Sequence, residues 1–406
     1  MKRILNFIGR VLNGTVIIYY KGFKTSHIII YDDFFPNPVT GFRLDEFTYL
    51  VNNIKSSVVL IDSEKTYSIY GYPKEARNTH LAQFFVKGGN GISKNRIRHV
   101  AKLNNINCKL VYVVFLRNLT RIFKYLKFFK IPFVITLYPG GGFTINDEAA
   151  DARLAILLQS DLCKGVIVNQ SKIKQYLIDK QLCNKEKIKL IFGLPISSNK
   201  LTYNLELKKY YPINRQQLNI CFVGAKNSQK GMDKGYDLFI DVAKLLKLKY
   251  DFVSFHVVGG FDELDIPVQE LKESVTFHGK IEADELSNTL VNFDIIVAPN
   301  RPNILSKGAF DGFPVGCCIE ASLVGCCVIT TDPMEENKFL YDENTEICIV
   351  KANIESILAR IESLIAKPDQ IRNIGKAGML KTQQLYSEDT QLKERVSYLN
   401  QIISKL

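Results

Sequence analysis

The 406-residue sequence lacks any run of about 20 apolar residues, the length a helix needs to span a bilayer. Its longest uncharged stretch, Ile131 to Asn146, is broken by Pro139 and by Gly140, Gly141 and Gly142. Any membrane contact is therefore expected to be peripheral. There is no Cys-x-x-Cys, no His-x-x-x-His and no Asp-x-Asp at the end of a strand pattern, which removes the common spacings for catalytic or structural cations. No metal and no other cofactor is expected. The nine cysteines are an odd number scattered through apolar segments, unlike a secreted disulfide framework, and suit a reducing cytoplasm. The doublets Cys317-Cys318 and Cys326-Cys327 read as small buried residues. The opening Met1-Lys2-Arg3-Ile4-Leu5-Asn6-Phe7-Ile8-Gly9-Arg10 has no small-residue cleavage site after it and is expected to be retained. No short tandem repeat and no nucleic-acid recognition motif is visible, so nucleic acid is not an expected partner.

What is present is an ordinary globular composition, 46% hydrophobic and 23% charged, at a length that suits two domains of about 200 residues each. The net charge of +12 is unevenly divided. Residues 1–215 carry 33 Lys and Arg against 14 Asp and Glu, whereas 216–406 carry 20 against 27. The first half should gather counter-anions, which suits anionic lipid headgroups, a lipid-pyrophosphate acceptor or nucleic acid, and charge alone does not choose among them.

Short β-branched runs alternate with amphipathic stretches throughout. His27–Tyr31, Val58–Ile61, Leu110–Leu116, Phe133–Leu137, Val166–Val168 and Ile188–Phe192 read as buried strands. Asp45–Asn52, Asn95–Leu103, Leu119–Phe129, Asp147–Leu158 and Lys172–Leu182 read as the helices between them. The polar stretch Ser197 to Gln217 reads as a linker. Strands at Asn219–Val223, Val253–Val258, Val275–His278, Asp294–Ala298, Cys327–Thr330 and Ile347–Val350 follow, with helices from about Tyr236, Asp284, Gly316 and Ile354. This predicts an α/β chain of two Rossmann-like domains facing an interdomain cleft, 1–205 and 206–385. A terminal helical segment, 386–406, is expected to return towards the first domain. Ligands of such sheets bind beyond the carboxyl ends of the strands, so residues just after strands are the candidates.

The richest candidate is Asp294-Ile-Ile-Val-Ala-Pro-Asn-Arg301 followed by Phe310-Asp311-Gly312-Phe313-Pro314-Val315-Gly316-Cys-Cys-Ile-Glu320-Ala321. A Gly- and Pro-containing loop that opens into a helix leaves backbone N–H groups aimed at an anion, such as a sugar diphosphate. Glu320, one turn into that helix, suits ribose hydroxyls, and Asp311 suits the transferred sugar. The segment resembles the retaining glycosyltransferases of family 4, whose signature spaces two glutamates by seven residues. Here the first acid is Asp311, and eight residues separate it from Glu320. A second similar element is Ile220-Cys-Phe-Val-Gly224 running to Lys234-Gly235. In the family, basic residues there contact the donor diphosphate and offset charge on the leaving nucleotide. Lys234 matches best. Ala225 stands where the family places a second basic residue, leaving Lys226 or Lys230 as substitutes. Val257-Val-Gly-Gly260 and Val275-Thr-Phe-His-Gly279 occur in the family's order. Gly279 is open to two readings, a strand end under the nucleobase or a simple turn.

In the first half the resemblance is mainly one of layout. Phe35-Pro-Asn-Pro-Val-Thr-Gly41 and Tyr138-Pro-Gly140-Gly141-Gly142-Phe143 end strands at the expected cleft side. Gly41, Tyr138, Gly140 and Gly141 are accordingly candidates for an acceptor or phosphate loop, with a tight turn an equal reading of the segment that ends at Gly41. The histidine that many family members carry in this region has no counterpart between His99 and His256. The five histidines read as core or strand-end residues. The segment Arg117 to Lys130 is a cationic amphipathic pattern with two readings, a crossover helix that buries Leu119, Ile122, Leu126 and Phe129, or a helix that docks on an anionic membrane.

The resemblance implies a metal-independent enzyme that transfers a hexosyl group, with retention, from a nucleotide sugar to a glycan or lipid-linked acceptor. Asp311 and Glu320 are the expected catalytic pair. Lys226, Lys230, Lys234, Gly312, Phe313, Pro314, Gly316 and Glu320 are expected on the donor. The expected setting is surface polysaccharide or glycolipid assembly on the inner face of the cell membrane. A GT-B-fold epimerase or phosphorylase is the alternative, and a basic membrane- or nucleic-acid-binding module is a third reading.

Overall fold

The computed structural model describes residues 26–37, 41–61, 64–69, 71–73, 75–99, 107–196 and 208–406. Its first sheet runs β1 (Ser26–Asp32), β2 (Ser57–Ile61), β3 (Ile97–His99), β4 (Cys108–Val114), β5 (Phe133–Leu137), β6 (Cys163–Val168) and β7 (Ile188–Leu190). These lie in the order β3-β2-β1-β4-β5-β6-β7. The second sheet holds β8 (Leu218–Gly224), β9 (Val253–Gly259), β10 (Val275–Gly279), β11 (Ile295–Ala298), β12 (Cys327–Thr330) and β13 (Cys348–Ile349), in the order β10-β9-β8-β11-β12-β13. All these strand pairs are parallel. Each sheet reverses its winding once, between β1 and β4 and between β8 and β11. These are the switch points where an open parallel sheet forms a crevice.

Helices α1 (Gly41–Asn53), α2 (Glu64–Ile69), α3 (Ala76–Val86), α4 (Leu116–Phe129), α5 (Glu148–Leu158) and α6 (Ser171–Asp179) accompany the first sheet. Helices α7 (Tyr236–Lys247), α8 (Ala283–Leu290), α9 (Gly316–Leu323) and α10 (Ile354–Ala366) accompany the second. The alternation of side chains along a strand explains the continuous apolar runs. Ile29 and Tyr31 of β1 enter one hydrophobic cluster, while Ile28 and Ile30 enter another on the opposite face. Each fully buried aliphatic side chain contributes about 1.5–3 kcal/mol of transfer free energy, so a strand covered on both faces is held at nearly every residue.

Two sequence readings change. Asn95–Leu103 is not a helix where it is described: a short 3-10 turn, Lys94–Arg96, leads into edge strand β3. The cause is tertiary. Arg96 donates from Nε to the Ser57 carbonyl at 2.9 Å and from Nη2 to the Ile54 carbonyl at 3.0 Å, pinning the chain alongside β2. Helices α2 and α3 are additions that the sequence pattern does not reveal. The readings at Met1–Arg10, and most of those at Ser197 to Gln217, fall outside the described residues.

Helix α4 takes the crossover reading for its apolar face. Leu119, Ile122 and Leu126 are wholly buried in the core under the first sheet, and Phe129 packs against the same cluster. Arg121 pairs with Asp33 at 3.0 Å, while Arg117, Lys124, Lys127 and Phe128 face solvent. Among the described residues, no helix is long and apolar enough to cross a membrane.

The tail forms α11 (Pro368–Leu385), a π-turn over Asp389–Lys393 and α12 (Glu394–Ile403). Leu399 and Ile403 of α12 enter the cluster of Ile28 and Ile30, so the end of the chain packs on the first sheet. A buried polar network fixes it there. Arg395 donates from Nη2 to the Tyr138 hydroxyl at 3.1 Å and lies 3.6 Å from Glu46, whose other oxygen accepts from Tyr138 at 2.8 Å.

Candidate active site

The site begins at the carboxyl end of β8, where the chain turns at Gly224 and runs through a loop to Lys234, Gly235 and α7. Gly235 has φ +75°, and a Cβ there would lie 2.4 Å from the Pro299 carbonyl oxygen. Only glycine permits this approach, and it seats the Lys234 loop on the end of β11. Arg301 closes the same junction. Its Nε donates to the Met232 carbonyl at 2.9 Å, and Nη2 reaches both Asp237 oxygens at 2.6 Å. Buried Asp233 is held from behind by the Ser228 hydroxyl at 2.5 Å.

So anchored, Lys234 places Nζ 2.7 Å from Oδ1 and 2.8 Å from Oδ2 of Asp311. Asn300 Nδ2 donates to the same Oδ2 at 2.6 Å. The Asp311 side chain is 31% exposed and that of Lys234 17%, so the pair is only partly screened by water. Asp311 lines a small open cleft together with Asn300, Gly312, Phe313, Thr331 and Met334.

The loop from Asp311 ends in α9. Its N-cap, Val315, offers no side-chain acceptor to the first amides of the helix, which are the groups that suit an anion. Cys317 in the first turn donates from Sγ to the Val223 carbonyl at 3.3 Å. A Cβ added at Gly224 would lie 3.4 Å from the Cβ of Lys234. The turn after β8 therefore touches both the α9 N-terminus and the lysine. Glu320 is half-buried one turn after Cys317, on the same helical face.

The first lobe covers this loop. Gln170, just past the end of β6, donates from Nε2 to the Asp311 carbonyl at 3.1 Å. Glu336 accepts from the amides of Ser171 and Lys172 at 2.5 and 3.2 Å, which caps α6 from the opposite lobe. Phe310 packs edge-to-face on Phe143 at 5.6 Å and belongs to the first lobe's core.

Residues 217–367 match the family model of glycosyl transferases group 1. No curated protein matches the chain. Solved structures do: a glycosyltransferase from Rickettsia africae ESF-5 aligns over 94% of this chain and 99% of its own, at TM-score 0.64 and 15% identity. Sucrose-phosphate synthase from Thermosynechococcus elongatus aligns over 94% and 100%, at TM-score 0.62 and 16% identity. HepE from Anabaena, solved in complex with UDP and glucose, aligns over 94% and 100%, at TM-score 0.60 and 13% identity. At these identities the likeness is one of fold. The chain has the GT-B architecture of two Rossmann-like domains.

Among the lysines singled out in the sequence, the structure brings Lys234 to Asp311. Lys226 instead pairs with Asp265, and Lys230 is exposed at φ +53°. Phe313 and Pro314 are buried, with Phe313 in the core of the second lobe, while Gly312 and Gly316 are half-buried. A Cβ at Gly312 would lie 3.7 Å from Gln170 Nε2, and one at Gly316 would lie 3.6 Å from Leu194. Tyr138 does not offer its hydroxyl to a ligand: it is buried and committed to Glu46 and Arg395. Burial holds that phenol well above its usual range. Gly140 borders open space, whereas Gly141 packs on Phe115 and Gly41 is buried at the start of α1. Residues 38–40 of the loop before Gly41 lie outside the described set. Gly279 ends β10 at φ +69° with nothing within 4 Å of an added Cβ. Among the histidines, His256 and His278 contact each other at 3.2 Å, and His27 is exposed. Among the described residues no group of three or more His, Cys, Asp or Glu could hold a metal ion.

Sequence reasoning missed Asn300, Gln170 and Glu336. The first two carry the one signal available, a polar side chain two residues beyond a strand. Glu336 carries none, because its partner amides lie 165 residues away in the chain.

Proposed function

We propose that the protein transfers a sugar from a nucleotide-sugar donor to a glycan or lipid-linked acceptor. One observation carries the proposal. An ammonium group, Lys234, and a carboxylate, Asp311, are held together at the switch point of the second sheet, beside the uncapped N-terminus of α9 that bears Glu320.

In this reading the donor diphosphate takes Lys234 and the α9 amides, and Glu320 accepts hydrogen bonds from the ribose. Asp311, released from Lys234, faces the transferred sugar. The positive charge is then placed where the leaving nucleotide gains negative charge, which is the largest contribution such a site makes to rate. The complexes of HepE with UDP, glucose and UDP-glucose make UDP-glucose the first donor to try. The resemblance favours retention at the anomeric carbon and a metal-independent reaction. The excess of lysine and arginine in residues 1–215 favours an anionic acceptor, in surface polysaccharide or glycolipid assembly at the inner face of the membrane.

The test is calorimetric titration with UDP-, GDP- and ADP-sugars, followed by turnover with and without lipid extract. Tight binding of one donor, lost by at least about tenfold in Glu320→Ala, is expected. Absence of binding to all three classes, or a Glu320→Ala protein that binds as wild type, would remove the donor assignment. Conversion of the sugar nucleotide without any acceptor would favour an epimerase.

A further inference from the structure

We propose that Asn300 is a positioning residue for this reaction, acting through Asp311. The inference rests on the reading of Asp311 as the sugar-facing carboxylate. In the structure three hydrogen bonds hold that carboxylate, two from Lys234 Nζ and one from Asn300 Nδ2. The two donors have different fates when a donor molecule binds. Lys234 is the cation that a diphosphate claims. Its departure would leave the Asp311 side chain free to rotate unless another group retained it.

Asn300 is built to do so. It is 8% exposed and lies just beyond the end of β11. Its backbone carbonyl oxygen accepts from the hydroxyl of Thr331, just past the end of neighbouring β12, at 2.6 Å. The next residue, Arg301, donates its backbone N–H to the Asp233 carbonyl at 3.0 Å and anchors its side chain on Asp237. The amide thus stands on two strand ends and on the Lys234 loop, a firmer base than a free loop gives. Its chemistry also fits. A neutral donor orients a carboxylate without neutralising it, so the full negative charge stays available to the sugar. A cation at this position would pair with Asp311 permanently, and a second carboxylate would repel it. Correct orientation of a reacting or contacting group is worth orders of magnitude in rate, and loss of it reduces turnover more than binding.

The experiment uses the full chain and whichever UDP-, GDP- or ADP-sugar turns over fastest, with free nucleoside diphosphate as the binding probe. Asn300→Ala is expected to lower kcat about 10–50-fold while the affinity for the nucleoside diphosphate stays within about twofold. Asn300→Asp keeps the shape and exchanges the donor for a carboxylate, so it should fall below Asn300→Ala. In an Asp311→Asn background, Asn300→Ala should change kcat by less than about twofold, because its target is already altered. Melting temperatures of all variants separate loss of function from loss of fold, and if Asn300→Ala does not fold, Asn300→Asp in the two backgrounds decides. Unchanged kcat in Asn300→Ala, wild-type activity in Asn300→Asp, or multiplicative losses with Asp311→Asn would each overturn the inference. If Lys234→Ala and Asp311→Asn also keep full turnover, the site itself is misassigned. If those two are impaired and Asn300→Ala is not, only the role of Asn300 falls.

Discussion

Lys234 and Asp311 meet end-on, with one ammonium nitrogen 2.7 and 2.8 Å from the two oxygens of one carboxylate. A ligand that takes the lysine must therefore separate it from the aspartate, and its affinity is reduced by the cost of doing so. Lys234→Ala removes the phosphate contact and, with it, the ion pair that the ligand must break. The expected net result is a loss of about 10–100-fold in affinity for a nucleoside diphosphate and about 100-fold in kcat, as for removal of one strong charge-assisted donor. The unphosphorylated nucleoside should bind unchanged. Calorimetry with both probes checks this, and equal losses for the two would show that Lys234 acts only on the fold.

Glu336 caps α6 across the cleft, where the N-cap residue of that helix, Gln170, provides no side-chain cap. A carboxylate on free amides at a helix N-terminus is worth about 1–2 kcal/mol. Glu336→Ala should shift the lobes toward an open arrangement, seen as a larger radius of gyration in solution scattering of the ligand-free protein. A scattering profile identical to wild type would mean that the other contacts across the cleft suffice.

Arg395 and Glu46 are both wholly buried, in the network that binds α12 to the first sheet. Removing one partner strands the other charge away from water, at a cost of about 3–5 kcal/mol. Arg395→Ala should lower the melting temperature sharply, and Glu46→Gln with Arg395→Met should recover much of the loss. A double variant no better than Arg395→Ala alone would place the loss in packing rather than in charge.

His256 predicts a pH dependence. Burial first, then His278 and Arg215, push its imidazole down to about 4 from an ordinary value of 6.5. Burial lowers His278 as well. Between those pH values the unfolded chain binds a proton that the folded chain rejects, so stability rises with pH across the window and is lost as pH falls from about 6.5 to 4. For His256 alone the full change is about 3 kcal/mol. Chemical denaturation of wild type and His256→Phe at pH 4.5 and 7 checks it, with a smaller difference expected in the variant.

Much of the fold is legible in the sequence because its strands are buried on both faces. Apolar runs such as Phe133–Leu137 need no partner to be recognised, and Cys327–Thr330 is bounded by Gly325 before it and by polar residues after it. The helix starts at Tyr236, Gly316 and Ile354 are equally plain, each following a glycine, loop or Asn cap. Asn95–Leu103 is not legible, because the hydrogen bonds of Arg96 to residues about 40 positions earlier override the local pattern. At the site, Lys234 and Asp311 can be named separately from their loops. Their direct contact cannot, since it depends on Gly235 letting one loop settle on Pro299. Tyr138 misleads for the converse reason. It follows a strand at the cleft side, yet Arg395, 257 residues later, turns its hydroxyl inward.

Tyr386 is fully buried at the place where the chain passes between the lobes for the second time, its ring tilted against Phe192 at 5.9 Å and clustered with Ile196 from the first passage. Gln391 then bonds the Phe192 carbonyl, so residues 386–391 lie beside residues 192–196. The segment after Leu385 is thereby fastened to residues 192–196 of the first lobe before it reaches α12.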